Sequence, residues 1–191
     1  MPADSSTLMD DYRQRAEPWS DIQDCLERLY DAAVAYPQVS ILELGVRWGT
    51  STAMFLAAAE QAGGHLWSVD LAPTPELERD AGRWLASGYW TFTLGDDMAI
   101  DPPADAFDVL FIDTSHTYAH TLAELRKYVP LVKPGGVAYL HDTKLEAPEL
   151  AGPQPPFPVA RALDEFCAET GRAWTELGAQ YGLGKIGAPN G

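Results

Sequence analysis

The residues best able to do chemistry sit at the ends of short apolar runs. Ile112-Asp113-Thr114-Ser115-His116 closes one run, and Leu140-His141-Asp142-Thr143 closes another. If both runs are strands, two carboxylates and two imidazoles meet at neighbouring strand ends. Asp113, His141 and Asp142 then suit a divalent metal, which takes oxygen ligands and lowers the pKa of a bound hydroxyl. Mg²⁺ is the first expectation, and an imidazole in the set shifts preference toward Mn²⁺, Fe²⁺ or Zn²⁺. The competing reading is that Asp142 caps the next turn and His141 packs against an aromatic ring. His116 is the candidate catalytic base, with Asp113 beside it. A free imidazole titrates near neutrality and can take a proton from a hydroxyl. Its rival role is a helix-start histidine bonded to backbone. His120 and His65 are given no role.

A second group of residues suits a nucleotide-like ligand. Ile41-Leu42-Glu43-Leu44-Gly45-Val46-Arg47-Trp48-Gly49-Thr50-Ser51 reads as a strand, a glycine turn and a helix start. Gly45 permits a sharp turn and close approach of a ligand, Gly49 permits close entry into the helix, and amides at the helix start can hold a carboxylate. Three ligands compete for such a turn. A phosphate loop would need lysine after Gly49, where Thr50 stands. A dinucleotide would prefer G-x-G-x-x-G, whereas the spacing here is E-x-G-x-x-x-G. S-adenosylmethionine carries no phosphate and tolerates the looser turn. Asp70, 25 residues after Gly45, ends the next run and can accept ribose hydroxyls. Gly95-Asp96-Asp97 follows a third run, where an adenine amino group can be met.

The elements that must position these groups alternate. The pattern predicts a helix from Ser20 to about Tyr36, with Ser20 as its cap, and strands at 39–44, 65–70, 89–94, 107–112 and 137–140. Helices are expected at 50–62, 75–86, 118–128 and 159–170, and two final short strands at 173–177 and 183–186. Strand–helix alternation gives a parallel α/β sheet covered on both faces. The final strands are too close in sequence for a parallel crossover and pair antiparallel. Residues 1–17 read as a loose arm, 18–191 as a single domain, and the proline-rich stretch 147–158 as a loop.

Composition narrows the function. Net charge is −15, with 28 acidic and 13 basic residues, and such a surface repels phosphate backbones and anionic lipid. No nucleic acid and no membrane are expected as partners. No run approaches the ~20 apolar residues of a membrane span. Cys25 and Cys167 have no metal spacing around them and read as free thiols. The expected location is the cytoplasm, and a homodimer is left open.

ILELGVRWGTS, SVDL, GDD, FDVLFIDTSHTY and LVKPGGVAYLHDT stand in the order seen in class I S-adenosylmethionine-dependent methyltransferases. Over residues 39–143 the chain resembles the small-molecule O-methyltransferases of that class, such as the catechol and macrocin enzymes and the cephalosporin-hydroxylase-like proteins. The resemblance implies a Rossmann-like, doubly wound sheet of seven strands in the order 3-2-1-4-5-7-6, the last antiparallel. It implies S-adenosylmethionine as cofactor, held by Glu43, Gly45, Gly49, Ser51, Asp70, Asp96 and Asp113. The acceptor would be a small molecule such as a natural-product hydroxyl. Metal-dependent relatives place acids or an amide after the fifth strand, and His141 departs from that pattern. Asp101-Pro102-Pro103-Ala104 is similar to the signature of amino-methyltransferases, but it precedes the fourth strand and lacks the aromatic ring. Rival readings are a hydroxylase-like enzyme, a non-catalytic cofactor-binding subunit and a nicotinamide-dependent reductase.

Overall fold

The computed structural model describes residues 7–17, 19–101, 106–146 and 152–187. The Asp101–Ala104 motif falls mostly outside them, as does most of the first half of the proline-rich loop. Seven strands form one sheet: β1 Ser40–Leu44, β2 His65–Asp70, β3 Trp90–Leu94, β4 Phe107–Ile112, β5 Val132–His141, β6 Trp174–Glu176 and β7 Leu183–Ile186. Their order is β3-β2-β1-β4-β5-β7-β6. β1 to β5 are parallel, and β7 runs antiparallel between β5 and β6. The expected topology holds throughout.

Strand parity divides the core into two layers. Ile41, Val109, Phe111, Val137 and Tyr139 face a layer built with Leu29, Phe55 and Trp84. Their neighbours Leu42, Leu44, Leu110, Ile112 and Leu140 face the other way, onto Leu125, Leu163 and Phe166. The first layer comprises α2 Leu26–Val34, α3 Thr50–Ala62 and α4 Pro75–Ala86, and the second α5 Tyr118–Tyr128 and α6 Pro158–Thr170. α3 is buried on every side from Ser51 to Ala59, and its small residues allow that close packing.

Three local expectations are corrected. Residues 8–16, expected to be loose, form helix α1 (Leu8–Ala16), started by a reciprocal capping box between Thr7 and Asp10. Buried Asp11 docks it, accepting from Trp84 Nε1 at 2.8 Å and Arg83 at 2.7 Å. Ser20 is no cap: a 3-10 turn at Gln23–Cys25 precedes α2, and the Ser20 side chain caps neither. β5 starts at Val132, so the Lys133-Pro134-Gly135-Gly136 segment lies within it. A register shift between Phe107 and Val109 accommodates the extra length.

Register fixes where the site lies. Leu44 pairs with Val69 and Ile112, Asp70 with Leu94, and Ile112 with Leu140. The five parallel strands therefore end level with one another. Their next residues, Gly45, Gly95, Asp113 and His141, join Asp70 in a single row along one edge, on either side of the β1/β4 crossover point where such folds bind ligands.

Candidate active site

That row opens on a cleft of about 760 Å³ whose walls include Gly45, Arg47, Asp70, Asp96, Asp113, His116 and Asp142. At its floor the β1 turn passes under β4. Gly45 has φ +89°, and a Cβ there would lie 2.0 Å from the Asp113 carbonyl oxygen. Only glycine lets the two strand ends lie this close. Asp70 reaches across from β2 and accepts from the amides of Val46 at 2.7 Å and Arg47 at 2.9 Å. Its other oxygen accepts from Ala72 N at 3.1 Å. A carboxylate has about four acceptor positions, so Asp70 keeps capacity toward the cleft. Asp96 caps its own turn through Met98 N at 2.8 Å.

Glu43, Gly49 and Ser51 do not line this cleft. Strand parity puts Glu43 on the same face as Ile41, under α3. It is fully buried and accepts from Ser51 Oγ at 2.6 Å, Thr52 Oγ1 at 2.9 Å and Ser68 Oγ at 2.6 Å. Burial pushes its carboxyl up to about 7 despite those bonds. Gly49 is the left-handed residue that starts α3, and a Cβ there would lie 2.9 Å from the Trp84 ring. These three hold the β1–α3 turn in place from behind.

The catalytic candidates do converge. His141 Nδ1 lies 3.4 Å from Asp113 Oδ1 and 3.2 Å from Asp142 Oδ1. His116 Nδ1 lies 3.1 Å from Asp142 Oδ2, and its Nε2 is 3.9 Å from Asp113 Oδ1. Burial opposes a charge on His141, but the bonds to Asp113 and Asp142 outweigh it and raise its pKa. Asp113 is lowered in turn: burial raises it, and His141 more than compensates. Five described non-glycine residues have positive φ, and three of them, Arg47, His116 and Asp142, stand on the cleft wall. Strain concentrated this way accompanies functional sites.

One cluster escaped the sequence reading. His120, on α5, points to Asp97 Oδ1 at 3.2 Å and to Glu124 Oε1 at 3.5 Å. Bonds to both acids push it up to about 10. Asp97 sits at about 2, because the bonds to His120 and Glu124 overcome its burial, while burial lifts Glu124 to about 7. His120 and Glu124 are four apart on one helix, and that spacing was a readable signal.

A parallel sheet with a glycine turn and strand-end acids around its crossover point defines a Rossmann-like protein built for a nucleotide-type ligand. A methyltransferase-domain family model matches residues 42–143, more than half of the chain, and the protein belongs to that family. No curated protein matches the sequence. Among solved structures, a Staphylococcus aureus protein taken to be a caffeoyl-CoA O-methyltransferase aligns with TM-score 0.71 at 16% identity, covering 95% of this chain and 92% of that one. The O-methyltransferase TomG of Streptomyces achromogenes, involved in tomaymycin synthesis and solved with S-adenosylmethionine, aligns with TM-score 0.67 at 16% identity, covering 100% and 93%. A Bacillus cereus O-methyltransferase, solved with S-adenosylhomocysteine, gives TM-score 0.66 at 17% identity, covering 97% and 91%. At these identities the likeness is one of fold. Among the described residues, no helix is long and apolar enough to cross a membrane.

Proposed function

We propose that the protein transfers a methyl group from S-adenosylmethionine to a hydroxyl oxygen of a small molecule. The charge of the cleft carries this reading. Asp21, Asp70, Asp96, Asp97, Asp113 and Asp142 line it, against a single guanidinium, Arg47, which is itself paired with Asp21 at 2.8 Å. Such a wall attracts a cationic sulfonium and repels the pyrophosphate of a dinucleotide. Family membership and the donor-bound neighbours of the same fold support the same choice.

When bound, S-adenosylmethionine supplies a methyl carbon on a positively charged sulfur that leaves without protonation. Asp70 is placed for the ribose hydroxyls and Asp96 for the adenine amino group, with Gly45 leaving room between them. On the other side of the crossover point, His116 or Asp113 takes the acceptor's proton. His116 Nδ1 faces Asp142 Oδ2 at 3.1 Å, and its Nε2 lies 3.9 Å from Asp113 Oδ1. Asp113, His141 and Asp142 also fit a divalent cation, since one ligand atom from each lies within 4.8 Å of the other two. An ion held there would lower the pKa of a hydroxyl bound to it.

Calorimetry with S-adenosylmethionine, S-adenosylhomocysteine and NADH tests the donor. Mass spectrometry of a panel of catechols, flavonoids and sugar alcohols for a gained methyl group tests the acceptor class. Binding of NADH without binding of either adenosyl compound overturns the proposal.

A further inference from the structure

We propose that Asp97, His120 and Glu124 form a second divalent-cation site, separate from the Asp113–His141–Asp142 cluster and bordering the same cleft. One ligand atom from each of the three residues lies within 4.8 Å of the other two. They come from two elements, the turn after β3 and the middle of α5, so an ion there would tie those elements together. The independent observation is a pair of orphaned oxygens. Asp97 Oδ2 and Glu124 Oε2 are both buried and, among the described residues, no group outside this pair of acids donates to either, and the Glu124 side chain is fully buried. The donors nearby are committed elsewhere. Thr114 Oγ1 and His120 serve the other Glu124 oxygen, while Lys127 Nζ and Tyr128 Oη bond the Asp97 backbone carbonyl. Buried carboxylate oxygens need a partner, and a cation between them satisfies both at once.

Access and charge agree with this. Asp97 and His120 stand on the cleft wall, so a hydrated ion can reach them. Asp96 adds a further negative charge beside Asp97. Two carboxylates and one imidazole favour Mn²⁺, Fe²⁺ or Zn²⁺ over Ca²⁺ and Mg²⁺. Binding needs the imidazole nitrogen free of its proton, so the site tightens as pH rises. The inference does not depend on the identity of the methyl acceptor or on the first metal cluster.

The test uses the full chain stripped with chelator and titrated with Mn²⁺ alone, read by loss of the free-ion electron paramagnetic signal. Asp113→Asn with Asp142→Asn removes the first cluster. That double variant is expected to bind one Mn²⁺ per chain, more tightly at about pH 8 than at about pH 6. Adding Glu124→Gln or His120→Gln is expected to weaken binding about 100-fold or more. In the Asp113→Asn, Asp142→Asn variant carrying less than one equivalent of Mn²⁺, the His120 ring resonances should broaden. Absence of Mn²⁺ binding by the double variant together with a sharp His120 signal overturns the proposal. So does binding that Glu124→Gln leaves unchanged in a folded protein. The two orphaned oxygens would then share a proton.

Discussion

Glu43→Gln offers a test of how the turn beneath the cleft is held. Glu43 is fully buried, and its three partners are neutral hydroxyls. Burial lifts its pKa from 4.5 to about 7. An acid whose pKa is raised on folding binds its proton more tightly in the folded state. Its contribution is therefore fully present below about pH 4.5, is lost as pH rises, and is gone above about pH 7. The shift spans about 2.5 units, and at about 1.4 kcal/mol per unit the full loss is about 3 kcal/mol. Between pH 5.5 and 8 the portion lost is about 2 kcal/mol. Glutamine has nearly the same shape and does not titrate. Its amide nitrogen must donate where the carboxylate accepted, and the Ser51 and Thr52 hydroxyls can rotate to receive it. Ser68 is less free, because its Oγ already accepts from Trp90 Nε1 at 2.9 Å. Any cost from that mismatch is the same at every pH.

The difference in unfolding free energy between variant and parent isolates the titration, because all other groups cancel. Urea unfolding followed by tryptophan fluorescence, at fixed ionic strength from pH 5.5 to 8, should show glutamine gaining about 2 kcal/mol relative to glutamate as pH rises. A difference that stays flat across this range would refute the reasoning. It would mean that the three hydroxyls stabilise the carboxylate well enough to offset its burial.

The remaining predictions address the cleft and its supports. Gly45→Ala puts a methyl group into the Asp113 carbonyl in a left-handed backbone, so the strand ends must separate; thermal melting should fall and donor binding should disappear in calorimetry. Asp11→Ala breaks a buried pair with Arg83 and leaves Trp84 Nε1 without its acceptor, at a cost of about 3–5 kcal/mol; denaturant midpoints and proteolysis within residues 8–16 report it. His116→Ala should lower kcat by about 10²–10⁴-fold while leaving donor affinity nearly unchanged, and an unchanged kcat would reduce the residue to a structural one. Chelator dialysis should abolish turnover while leaving donor affinity nearly intact, and full activity after dialysis would remove the metal from the mechanism.

The sheet was legible because alternating apolar runs have one good way to be buried, and each ends at an acid or glycine. α1 was not, because its sequence LMDDYRQRA is polar and it docks largely through charged side chains, buried Asp11 on Trp84 and Arg83, and Arg15 on Asp80, beside Leu8. The Thr7-x-x-Asp10 capping box was nevertheless present in the sequence. β5 was read short because Pro134, Gly135 and Gly136 look like a turn; within the strand they form an irregularity, with Gly135 at φ +83°, between the Phe107–Val132 and Val109–Val137 pairs. Asp70, Asp96, Asp113, His116 and Asp142 were picked out at strand ends, and all five stand on the cleft wall. Glu43 was assigned to the ligand through the family resemblance, and its parity with Ile41 places it under α3. His120 was set aside as a surface residue, since no single-residue property reveals that Asp97 lies across from it.

The acidity of the cleft explains why a positive partner is needed beside Asp113. Six carboxylates that favour an incoming sulfonium also oppose the formation of an oxyanion in the same space. A hydroxyl placed there ionises less readily than in water, so positioning alone does not complete the reaction. The structure concentrates its compensating groups at the β4 and β5 ends. His141, buried behind the cleft wall with its charge stabilised by the acids on either side of it, and His116, on the wall beside Asp142, stand at those ends. Under the proposed reaction the β1, β2 and β3 ends would meet the donor with negative charge. The β4 and β5 ends must reverse that field locally, through an imidazolium or a divalent ion. The left-handed backbone at His116 and Asp142 puts two strained residues on this same part of the cleft wall.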